Sequence, residues 1–489
     1  MQRSKEGYIW TPTSEVEGIH TASVVPSSSH IRDAYDVIVI GSGFAGLIAA
    51  RDISQHSKAK VLLLEARDRI GGRTWTARVD NEDIEMGGTW VHWNQPHVYT
   101  ELHRYGIHKS LKTSAGTVAT QVQYHKRSGS TVESLVPAEV KNICDKVAAD
   151  FFQIDSLDSR ALMPYPHDPL REPTPWKKYD HMSIADRLKL LHNVSSFDKA
   201  IFETMTASFG SAPGSDIGFC EALRWFALGG HTMGGVFELV GVFKLGNGGT
   251  TSLATLILKD FQGDVLLNSP VGEISQYAAG AIVTTKAARR ITAKIVISTI
   301  PLNVLGDVIF TPPLSPLRHE AIVRGHINKG AKIHFKLGDI EPGWFATCEK
   351  GSPYVFAFSD HNGTRPWGPD GTWCIGFGYN GCLEDKKNSS EIVRQFRQNI
   401  RPDADVKLYA THDWMNDAYA KGVWSCWGPN SSTAHWAELQ RSHGRVLFAS
   451  ADWADGWRGF IDGAIEQGRR AATDVVEFLL SESANGAKL

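Results

Sequence analysis

Cysteine is scarce in this chain: there are six among 489 residues, and they form neither a C-x-x-C pair nor a cysteine and histidine cluster at zinc-ligand spacing. We therefore expect no disulfide framework and no bound metal. Long hydrophobic runs are also missing, because stretches such as residues 37–40 fall far short of the roughly 18 residues that span a bilayer. The first 30 residues contain no apolar signal-peptide core. The sequence thus predicts neither secretion nor a membrane partner.

An excess of charge of either sign is absent too. Lysine and arginine total 51 and aspartate and glutamate total 53, which gives a formal charge of −2 and argues against a nucleic acid as partner. Apolar residues make up 42% of the chain, as in an ordinary globular protein, and 489 residues suggest two or three domains. Aromatics are abundant, with 15 tryptophans, 12 tyrosines and 21 phenylalanines. They suit a site for a large planar or apolar ligand, or they fill the core.

A glycine-rich string, GSGFAG at residues 41–46, lies between a β-branched run at 37–40 and a helical pattern at 47–53. A second apolar run at 61–64 ends at Glu65. This order predicts a βαβ unit whose buried parallel strands flank a crossover helix. The glycine string by itself is weak evidence, but here the strand, the helix and the acidic residue all accompany it. The pattern therefore predicts a dinucleotide-binding site.

Each residue of the string has a physical role in such a site. Gly41 permits the tight turn, Gly43 lets the backbone approach a pyrophosphate, and Gly46 allows the helix to pack closely on the strand. The helix N-terminus offers unpaired N–H groups and partial positive charge to the phosphates. Glu65 can accept hydrogen bonds from the adenosine ribose and would repel a 2′-phosphate, so NADP is disfavoured. The choice between NAD and FAD stays open at this point.

Downstream of this unit the pattern changes. Residues 116–240 look mainly helical, with a capping box predicted at Ser183 and Asp186. Strand patterns then follow at residues 245–300, 333–337, 374–377 and 445–449. A helical pattern at 462–480 comes last. This order predicts an α/β protein in which one nucleotide-binding domain is built from separated segments and a second domain is inserted between them.

Two long strings after Glu65 narrow the interpretation: EARDRIGGRT at residues 65–74 and EMGGTWVHW at 85–93. Shorter strings follow in the same order, namely VGEI at 271–274, TIP at 299–301, HDW at 412–414 and FIDGAIEQG at 460–468. In these strings the chain resembles the flavin-dependent amine oxidases over residues 36–480, nearly its whole length. It resembles most the soluble, fungal-type monoamine oxidases.

The resemblance implies a Rossmann-like FAD-binding domain and an inserted substrate domain of helices with a mixed or antiparallel sheet. The expected boundaries are an N-terminal arm without regular structure at 1–35, the FAD-binding segments at 36–115, 245–320 and 440–480, the substrate domain at 116–244 and 321–439, and a C-terminal tail at 481–489. It also implies the residues that bind FAD: Ser42, Gly43, Ala45, Gly46, Glu65, Ala66, Arg67, Gly72, Arg73, Gly87, Gly88, Thr89, Val271, Trp414, Asp452, Ile461 and Ala464.

Two positions depart from the family pattern. Ala451 and Asp452 stand where the family more often has a glycine and an acidic residue, which leaves the contact of Asp452 with the ribityl and phosphate region open. Val423, between Gly422 and Trp424, stands where animal monoamine oxidases carry the cysteine that bonds to the flavin. We therefore predict noncovalent FAD, and yellow colour that stays in the pellet after acid precipitation would contradict this.

The resemblance implies three residues at the reaction centre. Trp424 and Phe460 match the two rings of the family's aromatic cage, which orients the amine in front of the flavin. Lys332 matches the lysine that holds a water near flavin N5, and Lys329 is the alternative. His92 lies in a Trp-Val-His string similar to one in polyamine oxidases, and the sequence leaves open whether it contacts substrate or is a hydrogen-bonded structural residue.

The implied reaction is the oxidative deamination of small primary monoamines. The amine loses a hydride equivalent to the flavin, water hydrolyses the imine to an aldehyde and ammonia, and O2 is reduced to H2O2. The alternatives are a polyamine oxidase, an L-amino-acid oxidase and a flavin-binding protein without turnover. The L-amino-acid oxidase alternative is weaker, because Thr89, Trp90 and Val91 stand where L-amino-acid oxidases place the arginine that binds the substrate carboxylate.

The last three residues, Ala487, Lys488 and Leu489, differ from the peroxisomal address Ser-Lys-Leu at one position. They predict a peroxisomal import receptor as partner and a peroxisomal location, with the cytoplasm as the alternative. A peroxisomal address suits an enzyme that produces peroxide. A homo-oligomer is compatible with the sequence, which does not determine the oligomeric state.

Overall fold

The computed structural model describes residues 1–114, 120–360 and 371–486. The tripeptide Ala487-Lys488-Leu489 lies outside these residues, so the predicted import receptor and peroxisomal location stay predictions. Among the described helices, none is long and apolar enough to cross a membrane.

The first large sheet contains the predicted βαβ unit. Its parallel core runs from Asp264–Leu266 through Val61–Leu64 and Ala34–Ile40 to Arg290–Ser298, with Val446–Phe448 paired to the end of that last strand. The sheet continues through Gly280–Thr285, Val271–Tyr277 and Ile309–Thr311. Strands far apart in sequence thus form one sheet, which confirms the predicted α/β class.

The second large sheet is mostly antiparallel and carries much of the substrate side of the site. Its order is Val132–Leu135, Val122–Lys126, Trp344–Cys348, Tyr354–Ser359, Thr372–Gly378, Ala331–Leu337, Val406–Thr411, Tyr8–Thr11 and Ser14–Glu17. Two smaller sheets complete the described strands. One joins Gln2–Arg3, His20–Thr21, Thr76–Val79 and Glu82–Glu85, and the other pairs Leu111–Thr113 with Phe243–Leu245.

Helices cover the sheets and fill the segment between them. The described α-helices are Phe44–His56, Pro96–Arg104, Pro137–Phe151, Ser159–Leu162, Ile184–Lys189, Ser196–Ala207, Phe219–Leu228, Met233–Gly241, Gly249–Asp260, Leu302–Leu305, Pro316–Arg324, Ser389–Asn399, Ser432–Gln440 and Ile461–Gly486, with 3₁₀ turns at Ile107–Ser110, Pro175–Tyr179 and Ala451–Trp453. The capping box predicted at Ser183 is present, because its hydroxyl accepts from the Asp186 N–H and the Asp186 carboxylate accepts from the Ser183 backbone.

Two helices that flank the cofactor region cross at close range. A Cβ added at Gly468 of helix Ile461–Gly486 would lie 2.4 Å from the Ala45 carbonyl oxygen of helix Phe44–His56. Only glycine allows the two backbones to approach so closely. This crossing holds the two helices in a fixed position relative to each other.

The expectation that residues 1–35 lack regular structure is wrong. The segment forms the strands Gln2–Arg3, Tyr8–Thr11, Ser14–Glu17 and His20–Thr21. Tyr8–Thr11 adds to the edge of the second sheet by pairing with Val406–Thr411. The serine- and threonine-rich composition of residues 1–35 hid these short strands, and the sheet that fixes Tyr8–Thr11 is formed by a strand about 400 residues away, which local sequence does not report. Residues 122–126 and 132–135 are likewise strands in a region predicted to be mainly helical.

Candidate active site

One cavity of about 750 Å³ lies where the two large sheets meet. Its wall takes residues from the carboxyl ends of strands Ala34–Ile40 and Val61–Leu64, from strands of the second sheet, and from helices Pro137–Phe151 and Met233–Gly241. Ligands of doubly wound sheets bind at this edge of the parallel strands. The cavity is therefore the candidate active site.

Most of the predicted site residues line this one cavity. They are Gly43, Ala45, Glu65, Ala66, Arg67, Gly72, Arg73, Gly87, Gly88, Thr89, Val271, Lys332, Trp414, Trp424, Phe460, Ile461 and Ala464. Ser42, Gly46 and Asp452 lie behind the lining and support it. A Cβ at Gly46 would lie 1.8 Å from the Gly41 carbonyl oxygen, so this glycine serves the turn itself.

The glycine turn makes a cradle at one end of the cavity. Helix Phe44–His56 begins at Gly43 with no side-chain cap, so its first N–H groups are left for a ligand. Gly43 and Gly72 approach closely, because a Cβ added at Gly72 would lie 3.1 Å from the Gly43 Cα. This arrangement suits a diphosphate, which needs backbone donors and no side chain in its way.

Glu65 is held in place beside the cradle. One carboxylate oxygen accepts from the Ser42 N–H at 2.6 Å and from the Ser42 hydroxyl at 2.7 Å, and the other accepts from the Arg67 N–H at 2.9 Å. These bonds fix an acceptor at the end of strand Val61–Leu64, where a ribose hydroxyl would meet it. The first residue of helix Ile461–Gly486, Ile461, lines the far end of the cavity.

Arg73 and Asp452 form an ion pair at the floor of the cavity. The Arg73 guanidinium donates to Asp452 at 2.7 Å and to the Val423 carbonyl at 2.8 Å, and Asp452 also accepts from the Leu302 N–H at 2.8 Å. Asp452 is fully buried; burial raises its pKa, but Arg73, His326 and the Leu302 N–H together outweigh burial and hold that pKa below its usual value. In this arrangement Asp452 positions Arg73, and the predicted contact of Asp452 with the ribityl region stays a prediction.

Lys332 lines the cavity and is tied to the glycine pair by three hydrogen bonds. Its Nζ donates to the Glu85 carbonyl at 2.8 Å, the Gly87 carbonyl at 2.7 Å and the Thr89 hydroxyl at 2.6 Å. Burial lowers the pKa of Lys332 to about 7, against the opposing charge of Glu85. All three ammonium protons thus have protein acceptors, and Lys332 anchors residues 85–89. Its predicted hold on a water stays a prediction.

Lys329, the alternative to Lys332, is exposed and lies outside the cavity lining. Its backbone N–H donates to the Asn380 side chain. Lys329 precedes strand Ala331–Leu337, whereas Lys332 is its second residue. The strand is buried on both faces, and it directs Lys332 toward residues 85–89.

Trp424 and Phe460 both line the cavity, and each ring is braced by a second aromatic. Trp424 packs edge-on against Phe377 with centroids 6.0 Å apart, and its Nε1 donates to the Phe209 carbonyl at 2.8 Å. Phe460 packs edge-on against Trp225 with centroids 5.1 Å apart. Such contacts fix ring orientation beyond what burial alone gives. The structure therefore brings the two predicted cage rings to one cavity.

His92 is a structural histidine in this arrangement. It is buried, its Nδ1 accepts from the Asn94 N–H, and its Nε2 therefore carries the proton that points to Glu238 at 3.3 Å. Burial lowers its pKa, against the opposing effect of Glu238. Of the described residues, it is Glu238 and not His92 that belongs to the cavity wall.

Sequence reasoning missed several residues of the site. The substrate side carries a cluster of phenylalanines from the second sheet, Phe345, Phe356, Phe358 and Phe377, in which Phe356 and Phe377 stack at 4.3 Å. The i, i+2 spacing of Phe356 and Phe358 was a readable signal for one strand face. Glu6 and Asp417, which bind Arg67, and buried Glu85 beside Lys332 gave no such signal.

The donors and shape of this cavity fit FAD: an uncapped helix N-terminus beside two close glycines, a fixed carboxylate at the ribose position, and a second helix N-terminus at the other end. The residues that would hold it are the glycine turn with Glu65 at the dinucleotide end, and Gly87, Gly88 and Ile461 at the opposite end.

Comparisons with known proteins agree with this geometry. Residues 44–476 match the family described as flavin containing amine oxidoreductase. The chain is similar to pseudooxynicotine dehydrogenase of a Pseudomonas species, with 32% identity over 97% of this chain and 92% of the relative, and to nicotine dehydrogenase of Pseudomonas putida, with 32% identity over 91% and 89%. A solved structure of putrescine oxidase bound to putrescine shares the fold, with a TM-score of 0.73 and 19% identity over 91% of this chain and 99% of that one.

A family match over most of the chain and relatives at this identity determine what the cavity serves. The chain belongs to the flavin containing amine oxidoreductases and is an amine-oxidising enzyme with FAD as its cofactor.

Proposed function

We propose that this enzyme oxidises small primary monoamines with an apolar carbon skeleton and uses O2 as electron acceptor. One molecule of amine and one of O2 give an imine and H2O2, and water then converts the imine to an aldehyde and ammonia. The observation that carries this proposal is the shared cavity of Trp424, Phe460 and Lys332, beside a cradle that fits FAD. When bound, FAD supplies the acceptor for the hydride that leaves the α-carbon of the amine.

The protein's part in this reaction is orientation and exclusion of water. Trp424 and Phe460 confine the amine between braced rings, so that only a narrow range of approach angles is open to it. Lys332 keeps residues 85–89 in place through its three hydrogen bonds. The phenylalanine cluster of the second sheet keeps this end of the cavity apolar. A dry site also favours the neutral amine, which has the free lone pair that the reaction needs.

The aromatic wall supports a substrate whose amine is attached to an apolar group. Besides the phenylalanine cluster, the wall contains Trp90, Trp225, Phe237, Met205 and Met233. The arginines among the described lining residues are Arg67, paired with Asp417, and Arg73, paired with Asp452. A free carboxylate on an amino acid would find no unpaired arginine in the described wall, which disfavours the L-amino-acid oxidase alternative.

A second candidate function comes from the relatives at 32% identity, which are named for pseudooxynicotine and nicotine and are called dehydrogenases. On this alternative the substrate is an amine that carries a nitrogen heterocycle, and the electrons go to an acceptor other than O2. The aromatic wall suits a heterocycle as well as it suits a phenyl group, because both stack on aromatic side chains.

Anaerobic reduction of the flavin tests both candidates. The visible spectrum of the enzyme is followed while benzylamine, an alkyl monoamine, nicotine, spermidine and an L-amino acid are added in separate titrations. We expect bleaching by the monoamines. The reduced enzyme is then mixed either with O2 or with a dye acceptor, and peroxide formed in the first case supports an oxidase. Bleaching by nicotine alone, with rapid reoxidation only by the dye, would overturn the monoamine oxidase proposal.

The polyamine oxidase alternative depends on the carboxylates that line the cavity. Asp145 pairs with Lys141 and Asp307 with Lys421, whereas the partner of half-exposed Glu238 is His92, which burial keeps neutral at pH 7. Apart from Glu65 at the cofactor cradle, Glu238 is thus the one carboxylate of the described wall whose charge has no cationic partner. That charge suits a single second cation and not the several charges of a long polyamine.

We expect Glu238→Gln to raise the KM of a diamine about fivefold, because one screened charge interaction near the protein surface is worth about 1 kcal/mol. The KM of benzylamine and the kcat of both substrates should stay within twofold. Asp145→Asn is the matched control, since Lys141 already balances that charge. Equal effects of Glu238→Gln on benzylamine and diamine would contradict a role in recognising a second cation.

A further inference from the structure

The N-terminal segment before strand Ala34–Ile40 crosses over the loop at residues 65–73, which borders the cradle for the cofactor. Strand Tyr8–Thr11 is fixed to the second sheet, and Gln2–Arg3 is fixed through His20–Thr21 to the small sheet that contains Thr76–Val79. Residues 4–7 bridge the two. Between these anchors the Ser4 hydroxyl donates to Asp68 at 2.9 Å and the Lys5 N–H donates to the same carboxylate at 2.8 Å.

Glu6 makes the strongest contacts of this crossing. Its carboxylate accepts from Arg67 through one oxygen and from Arg69 through the other. Arg67 and Arg69 are both buried, and the Glu6 side chain is 18% exposed. Burial raises the pKa of Glu6, but the two guanidinium groups outweigh burial and hold that pKa below its usual value. Glu6 is therefore ionised at neutral pH.

Both arginines act on the cavity. Arg67 lines it next to Glu65, and its guanidinium also makes two hydrogen bonds to Asp417, at 2.7 and 2.8 Å. Arg69 donates to the Gly72 carbonyl at 2.8 Å, and Gly72 is the glycine that lies against Gly43 in the cradle. The shape of the loop at residues 65–73 thus depends on two guanidinium groups that share Glu6.

Arg69 depends on Glu6 for its direct ion pair. Asp417 accepts from His412 at 2.6 Å as well as from Arg67, whereas the carboxylate that neutralises Arg69 within the described residues is Glu6. Removing its charge would leave Arg67 with Asp417 and the nearby Glu65, and would leave buried Arg69 without a directly paired carboxylate among the described residues. A buried charge without a partner is costly, so the loop would rearrange.

We propose that Glu6 is a positioning residue of the cofactor site. Through Arg67 and Arg69 it holds residues 65–73 in the form that receives the diphosphate and ribose of FAD, and residues 4–7 serve as a clasp over that loop. The clasp concerns only the binding of FAD, whichever amine the enzyme oxidises. Its test is therefore independent of the test of the proposed function.

The rate at which the enzyme releases FAD tests the clasp. Holoenzyme is diluted, and the appearance of free FAD is followed by its fluorescence. We expect Glu6→Gln to speed release at least about tenfold, because the loop that holds the diphosphate and ribose loses its fixed form and such losses of affinity appear mainly in the dissociation rate. Glu17→Gln is the matched control, because Glu17 lies in the same segment but is exposed and contacts only the surface residue Lys387 among its ion-pair partners. Unchanged release from Glu6→Gln would overturn the proposal.

A second measurement uses the unchanged protein and so does not depend on whether a variant folds. If Glu6 and FAD stabilise the same loop, binding of FAD must in turn stabilise the clasp. We expect the Lys5 amide, which donates to Asp68, to exchange its hydrogen more slowly in the FAD-loaded enzyme than after FAD is removed. Amides of the Ser14–Glu17 strand should show no such change. Equal exchange at Lys5 in both forms would contradict the clasp.

Discussion

Lys332→Met is expected to lower kcat for amine oxidation about a hundredfold, because a displacement of about 1 Å at a positioned reactant costs that much. The lysine ties Glu85, Gly87 and Thr89 together, and methionine fills the space without donating a hydrogen bond. Without these bonds the glycine pair that borders the predicted flavin ring is free to shift. The measurement is single-turnover reduction of the bound flavin by benzylamine, with FAD content determined on the same sample.

The same variant has an expected signature in stability against pH. The pKa of Lys332 is about 7 in the folded protein, below the usual value near 10.5 that applies to the unfolded chain. Between these values the unfolded chain binds more protons than the folded one, so the free energy of unfolding rises with pH. We expect the stability of the wild type relative to Lys332→Met to increase from pH 7 to about pH 10. Loss of Lys332 would also push the raised pKa of Glu85 further up, which acts in the same direction.

Lys336→Met is the control for both measurements. Lys336 lies on the same strand, Ala331–Leu337, but it is half-buried and pairs with Asp80 away from the cavity. We expect near-normal turnover and no change in the pH dependence of stability. If Lys332→Met also turned over normally, the anchoring of residues 85–89 would have no part in the reaction.

Trp424→Ala is expected to reduce kcat/KM for monoamines about a hundredfold while FAD content stays at one per chain, again because the amine loses its fixed orientation. The indole is half-buried in the cavity wall and has no polar contact with the loop at residues 65–73, so the cofactor cradle should keep its form. Stopped-flow reduction of the flavin at several amine concentrations separates the loss in binding from the loss in the chemical step.

Trp424→Phe gives the graded comparison. It keeps a ring against Phe377 but removes the hydrogen bond from Nε1 to the Phe209 carbonyl. We expect a loss several-fold smaller than in Trp424→Ala. Wild-type turnover by Trp424→Ala would contradict the assignment of Trp424 to the aromatic cage. Equal losses in both variants would show that the hydrogen bond, and not the ring, is what turnover requires.

Much of the cofactor half could be predicted from the sequence because its signals are local. The strand, glycine turn and helix around Gly43 follow one another without interruption, and Glu65 ends the next strand. The capping box at Ser183 is also encoded within four residues. In each case the hydrogen bonds that define the element join residues close in sequence, so the string of residue types suffices to specify the element.

The substrate half could be predicted only through family resemblance. Nothing in residues 354–378 by itself indicates that Phe356, Phe358 and Phe377 meet Trp424 at one wall, because alternation shows which side chains share a strand face but not what that face meets. The choice between Lys329 and Lys332 was of the same kind. It depended on which side chain reaches Gly87, 245 residues away.

The sequence by itself determined the α/β class and the dinucleotide turn, and through family resemblance it gave FAD as cofactor. The resemblance also predicted Lys332, Trp424 and Phe460 at the reaction centre, and the three line one cavity. Only the tertiary structure decided that residues 1–17 join the small four-stranded sheet and the second large sheet, that Glu6 joins Arg67 and Arg69, and that Lys332 anchors residues 85–89. The physical reason is that buried charges and amino groups bind whichever partners the packing of the core brings within reach. Those partners lie between 61 and 247 residues away, where local patterns of polarity carry no information about them.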